Sequence, residues 1–217
     1  MKESKKSKRE RINKIIPILE EHYPDAKCFL NHLNAYELLV STRLSAQTTD
    51  NRVNMVTPAL FARYPSVQDM AVAKLEDVEE YIKTVGIYKT KAKDIIAFSR
   101  IIVDEYDGNV PDTMEELTKL PGVGRKTASV VLGNAFGKPA IAVDTHFGRI
   151  MRRMGFTPHT DPEKVEMEMI DLVPPEVQVV FCHQIISHGR AVCKARKTEC
   201  TDCFLQEHCL KILEKGK

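Results

Sequence analysis

The sequence predicts an all-α protein, and three observations predict it. Apolar residues recur at helical spacing through nearly the whole chain. Pro, Gly, Asn and Asp cut that pattern into helix-length pieces joined by short loops. No long alternation of apolar and polar residues competes with it as a strand pattern. The expected architecture is a helical globule with one break near residue 138 and a small metal-bound tail.

The elements follow in order. Arg11 to His22 carries Ile12, Ile15, Ile16 and Leu19 on one face and stops near Tyr23-Pro24. A second helix spans about Ala35 to Leu44. A third follows Asp50 and ends before Tyr64-Pro65. Ser66 can cap the next, and Leu75 to Val85 continues the pattern to Gly86, expected as a left-handed C-terminal glycine. Lys91 to Tyr106 is strongly amphipathic and closes at Asp107-Gly108. Thr113 to Lys119 is a short helix, PGVG a hairpin, and Arg125 to Phe136 another helix. Beyond Gly137-Lys138-Pro139, Asp144 stands where an N-cap would stand. Asp161-Pro162 opens a helix in the order of cap then N1 proline. Pro174-Pro175 leads into the last long helix, which runs to about His188.

Composition bounds the function. The 217 residues suffice for one sizeable core or two modest ones. No run of about 18 apolar residues occurs, so no membrane span is expected. The basic N-terminus lacks the apolar core of a signal peptide, and the protein is expected to stay inside the cell. Residues 1 to 11 hold six Lys/Arg against two acids. They read either as a solvated helix start or as an arm that touches DNA. Net charge is only +2, so any nucleic-acid surface must be local.

Residues 120 to 131 read LPGVGRKTASVV. A nucleotide-binding Walker loop needs glycine directly before the lysine and another five residues earlier. Here Arg125 precedes Lys126, and Lys119 stands five before Gly124, so that reading fails. A helix-hairpin-helix fits. Gly122 and Gly124 let the turn approach a ligand closely, and amides opening the next helix can hold a phosphate. Such a clamp grips a duplex without reading its sequence. Lys126 falls in the first turn of that helix. There the dipole, with partial burial, would favour the uncharged amine, a nucleophile able to form a Schiff base. A second phosphate contact is the plainer alternative, and spacing does not separate the two.

Asp144, in VDTH, lies 18 positions after Lys126. As an N-cap it would be worth about 1 kcal/mol. As a carboxylate in a cleft it could stabilise a developing cation or act as a base. Cys193, Cys200, Cys203 and Cys209 follow the spacing C-x6-C-x2-C-x5-C. Four thiolates so close together can surround one metal centre, whether zinc or an iron–sulfur cluster. Cys28 and Cys182 lie outside the set and read as small buried residues. The insert KARKTE carries Lys194, Arg196 and Lys197, either a phosphate contact on a metal-pinned loop or a solvated charge run.

Taken together these residues resemble the endonuclease III family, iron–sulfur DNA glycosylase/lyases of the helix-hairpin-helix superfamily. The shared stretches are LSAQTTD at 44–50, VGIYKTKA at 85–92, LPGVGRKTA at 120–128, VDTH at 143–146, HGR at 188–190 and the cysteine set. The resemblance implies a six-helix barrel over 28–138, with the hairpin motif at 113–136. A second helical domain would combine 1–27 with 139–217 and carry a [4Fe–4S] cluster on the four cysteines at 193–209. The active cleft would lie between the domains, with Lys126 as nucleophile and Asp144 as its carboxylate partner.

Gln47 would plug the gap left by a flipped base, and Ile87 would wedge the opposite strand. Gly122, Val123, Gly124, Arg125, Thr127, His146, Arg190, Lys194, Arg196 and Lys197 would touch DNA. The partner would be duplex DNA with oxidised pyrimidines or abasic sites, met by a monomer. A monofunctional glycosylase of the same superfamily and a non-catalytic DNA-binding module are the alternatives. Lys126 and the Thr145-His146 pair argue against the adenine-glycosylase branch, which resembles LPGVGRSTA. Two residues depart from the family pattern: Arg43, where an apolar residue is usual, and Ala191, where an aromatic is common.

Overall fold

The computed structural model describes residues 3–196 and 198–212. The described residues are helical with connecting turns, and the only ladder contact among them is an isolated bridge between Cys193 and Thr198. The chain divides into two compact units, residues 28–138 and residues 1–27 with 139–217.

The first unit is built around α2 (Ala35–Ser45), whose residues Leu38 to Leu44 are all buried. Leu38, Leu39, Val40 and Leu44 supply its apolar contacts, and the polar Thr42 and Arg43 buried among them are partnered: Thr42 donates to the Leu38 carbonyl at 2.7 Å and Arg43 to Asp94. Asn34 caps it by accepting from the Glu37 amide, 2.9 Å away. Packed around it or around one another are α3 (Asp50–Arg63), α4 (Val67–Ala71), α5 (Leu75–Ile82), α6 (Tyr88–Glu105), α7 (Met114–Lys119) and α8 (Arg125–Phe136). Ser66 and Asp69 form a reciprocal capping box on α4, as the Ser66 cap predicts.

One local expectation fails. Helix α5 stops at Ile82, and the left-handed residue in the following turn is Ile87 (φ 49°), not Gly86. The space at 86 is tight instead. A Cβ there would stand 3.1 Å from the carbonyl oxygen of Gln47.

The second unit joins the N-terminal α1 (Lys5–His22) to α9 (Thr145–Arg153), α10 (Pro162–Leu172) and α11 (Gln178–Ala191). Its core interleaves Ile12, Ile15 and Leu19 with Phe147, Met151, Val165, Met169, Phe181 and Ile185, all nearly or fully buried. Helix α1 begins six residues earlier than its apolar face suggests, because Ser4 caps it and Glu3 pairs with Arg11 at 2.6 Å.

The basic start of the chain is thereby spent on folding. Lys5 donates to Asp171 (2.7 Å), Lys8 to the Phe156 carbonyl (2.6 Å) and Arg9 to the Asp171 carbonyl (2.9 Å). Arg11 donates to the carbonyls of Met154 (2.7 Å) and His208 (2.8 Å), with its guanidinium 3.9 Å above the Phe156 ring. These contacts favour the helix-start reading over the DNA-touching arm.

Candidate functional site

In the first unit the hairpin joins α7 to α8. Thr113 caps α7, accepting from the Glu116 amide at 3.2 Å. The turn then runs through Gly122 at φ 72°, a left-handed conformation that a side chain would strain. Gly122 is needed for a second reason. A Cβ there would fall 2.5 Å from both Arg43 Nε and Asp94 Oδ2.

The departure at Arg43 therefore has a structural explanation. From buried α2 it donates Nε (2.9 Å) and Nη2 (2.5 Å) to the one Asp94 oxygen on α6, and the turn rests on that pair. Gly124 is the N-cap of α8 and, having no side chain, supplies no capping acceptor to the first-turn amides. That arrangement suits a phosphate oxygen.

Lys126 extends from this first turn and is exposed, not partly buried as the sequence suggests. Val123 is buried, so only its backbone is available to a ligand at the turn. Arg125 and Thr127 are half-buried. Gln47 and Ile87 are exposed, and both hold left-handed backbone, φ 54° and 49°.

The two loops that carry Gln47 and Ile87 touch. The Gly86 amide donates to Thr48 Oγ1 at 3.1 Å. The buried Lys91 sends Nζ to the carbonyls of Leu44 (2.7 Å) and Ala46 (2.6 Å) and to Thr48 Oγ1 (3.0 Å). Burial and the Arg43 charge push Lys91 down to about 8. Neither Lys91 nor Thr48 is named as functional by the sequence reading. The signal available was a lysine inside VGIYKTKA on the otherwise apolar side of a helix.

In the second unit Asp144 is the N-cap of α9, accepting from the Phe147 amide through Oδ1 at 2.7 Å. Half-buried, it is held in one orientation by that bond. His146, in the first turn, lies with Nδ1 3.3 Å from Arg149 Nη2.

The same helix reaches the cysteine loop. Arg149 donates to the carbonyls of Gly189 (3.2 Å) and Cys193 (2.9 Å). Arg153 donates to the carbonyls of Lys194 and Ala195, both at 2.8 Å, and to Cys193 Sγ at 3.4 Å. Their spacing of four on α9 was the signal the sequence offered. Arg190, Lys194 and Arg196 are exposed, and Lys194 stands 3.8 Å from Glu199. Lys197 lies outside the described residues.

Cys193, Cys200, Cys203 and Cys209 line one pocket, with apolar walls from Ile150, Met154, Val192 and Leu205. N–H groups point at the sulfurs. The Lys211 amide donates to Cys209 Sγ at 3.3 Å, and His188 Nε2 lies 3.6 Å from Cys203 Sγ. Burial pushes His188 down to about 4. Tyr23 OH lies 3.4 Å from its Nδ1, so the ring sits between a phenol and the Cys203 sulfur. Among the described residues no three His, Cys, Asp or Glu side chains are grouped closely enough for a single ion. The four sulfurs, the apolar walls and the N–H donors from Lys211 and Arg153 fit a thiolate-bound metal group.

An all-helical fold with a glycine-capped hairpin helix defines a class, and the comparisons agree. Residues 40–175 match the HhH-GPD superfamily of base excision DNA repair proteins. An endonuclease III of Synechocystis sp. is 48% identical over 94% of this chain and 93% of its own length. That of Escherichia coli is 43% identical over 90% and 92% respectively. An endonuclease III in non-covalent complex with DNA superposes with TM-score 0.88 at 41% identity, over 94% of this chain and 95% of its own. A trapped covalent endonuclease III–DNA intermediate matches with the same score and identity, over 94% and 96%. Within the HhH-GPD superfamily, the chain belongs to the endonuclease III family.

Proposed function

We propose that the chain is a bifunctional DNA glycosylase and abasic-site lyase of base excision repair, acting on duplexes that contain oxidised pyrimidines or abasic sites. The observation that carries this reading is Lys126. It is an exposed amine in the first turn of α8, directly beyond a turn whose amides can hold the DNA backbone.

A base inside a duplex is out of reach and must be turned out, at a cost of a few kcal/mol. Gln47 fills the space left behind, and Ile87 holds the opposite strand apart. The Lys126 amine attacks C1′ of the extruded nucleotide and the base leaves with the C1′–N bond electrons. Asp144 stabilises the positive charge that develops at the sugar and accepts the proton the amine sheds. Opening of the sugar ring gives an imine between Nζ and C1′. The imine acidifies C2′, whose proton is removed, and the 3′ phosphate leaves by β-elimination. Water then releases Lys126 from the sugar remnant.

Cys193, Cys200, Cys203 and Cys209 hold a [4Fe–4S] cluster that pins the loop carrying Lys194 and Arg196. With Arg190, His146 and the α8 amides, these cations position phosphates and carry no sequence information.

The test is base release and strand nicking on a panel of lesion duplexes, with Lys126→Gln beside the native enzyme. Native protein should release thymine glycol and nick the strand, and the variant should do neither. Release without nicking by the native enzyme would favour a monofunctional glycosylase. Binding with neither activity would favour a non-catalytic module.

A further inference from the structure

Gln47 and Ile87 share an unusual backbone. Both are left-handed without being glycine, and Ile87 is β-branched, for which that conformation is a marked outlier. Such backbone is strained and persists only where its surroundings over-determine it. Here both sets of surroundings converge on Lys91. Ile87 is the N-cap of α6, and the Lys91 amide donates to the Ile87 carbonyl at 3.2 Å, closing the helix's first turn.

From that turn the Lys91 side chain runs back under the other loop. Its Nζ takes the carbonyls on either side of Ser45, at Leu44 and Ala46, and the Thr48 hydroxyl. Gln47 is therefore bracketed, with a Lys91 bond to the residue before it and another to the residue after it. Thr48 Oγ1 also accepts the Gly86 amide, and a Cβ at Gly86 would stand 3.1 Å from the Gln47 carbonyl oxygen. One lysine thus fixes two strained loops against each other.

The chemistry of the brace is costly. Lys91 is fully buried, and its three Nζ acceptors are neutral oxygens. Burying an ammonium without an anion disfavours its charge, in keeping with the depressed pKa of about 8. An apolar side chain would fill the space more cheaply, so stability alone does not account for a lysine here.

We infer that Lys91, through Thr48, is a positioning residue that sets Gln47 and Ile87 as one coupled unit before DNA arrives. This rests on the reading of those two residues as plug and wedge. Preset loops meet the duplex without first being ordered, so loss of the brace should fall on opening the duplex and spare the attack at C1′.

The experiment compares native protein, Lys91→Met, Thr48→Val and Thr48→Ser on two substrates under single turnover. One is a thymine-glycol duplex. The other is a single strand with one abasic site, which has no stack to open. Thermal unfolding and circular dichroism accompany each variant. Lys91→Met and Thr48→Val should slow base release from the duplex on the order of tenfold to a hundredfold. Both should cleave the single strand at the native rate, and Thr48→Ser, which keeps the hydroxyl hub, should match native protein on both. Folded Lys91→Met and Thr48→Val proteins that process the duplex at the native rate would overturn the inference. So would an equal loss on both substrates, which would mark a general structural role. A native protein inactive on both would instead overturn the functional reading, and the inference with it.

Discussion

Gly122→Ala tests how the hairpin is seated. The backbone at 122 is left-handed (φ 72°), which costs an alanine about 1–2 kcal/mol. The new methyl would also sit 2.5 Å from Arg43 Nε and Asp94 Oδ2. Neither atom can yield cheaply, because each belongs to a bond of 2.9 Å or less between side chains only 10% and 20% exposed. Parting a charge-assisted hydrogen bond of this kind costs about 1.5–3 kcal/mol. The substitution should therefore destabilise the protein by roughly 2.5–5 kcal/mol in urea unfolding.

The two contributions can be separated. In an Arg43→Ala/Asp94→Ala background the methyl meets no ion pair, and the cost of Gly122→Ala should shrink to the backbone share of about 1–2 kcal/mol. A cost below about 1 kcal/mol in the native background would refute the reasoning. So would a cost that stays the same in both backgrounds.

Other outcomes follow from the same contacts. Arg11→Ala removes two carbonyl bonds and a stacked guanidinium, and should cost about 2–4 kcal/mol of stability. Its affinity for undamaged duplex should stay at the native value, and a clear fall would restore the DNA-touching arm. Lys91 titrates near 8 when folded against an ordinary 10.5, so the unfolded chain holds more protons between those values. Its contribution to stability is lowest below pH 8 and rises by up to about 3 kcal/mol toward pH 10.5. Native protein should thus gain on Lys91→Met in urea unfolding between pH 7 and 10, and a constant difference would contradict it. Arg153→Met removes the donors to the Lys194 and Ala195 carbonyls and to Cys193 Sγ. Anaerobically purified variant should hold less iron and show weaker visible absorption than native protein, and full occupancy would argue against that support.

Helices were legible wherever one face repeats its apolar residues. Ile12, Ile15 and Leu19 place α1, and Ile95, Phe98 and Ile102 place α6, because each set makes one buried stripe. The N-caps at Ser66, Asp144 and Asp161 carry their own chemical signal. What the sequence obscured depends on contacts between distant segments. Gly86 looks like a helix terminator, yet its reason lies 39 positions away at the Gln47 carbonyl. Lys5, Lys8, Arg9 and Arg11 look like a charged arm because their partners, Asp171, Phe156, Met154 and His208, are more than 140 residues off. Lys91 stands out only by its apolar helix side, and the carbonyls of Leu44 and Ala46 that it meets belong to a segment more than 40 residues away. The motifs pointed at Lys126 and Asp144, while the residues that support the loops around them emerge only from packing.

The central claim is that Lys126 becomes covalently joined to the sugar of a damaged nucleotide. Borohydride added during turnover on a thymine-glycol duplex reduces any imine to a stable amine. Native protein should give one protein–DNA adduct, mapped by mass spectrometry to Lys126, and Lys126→Gln should give none. An adduct that persists in Lys126→Gln, or its absence from an active native enzyme, would contradict the account.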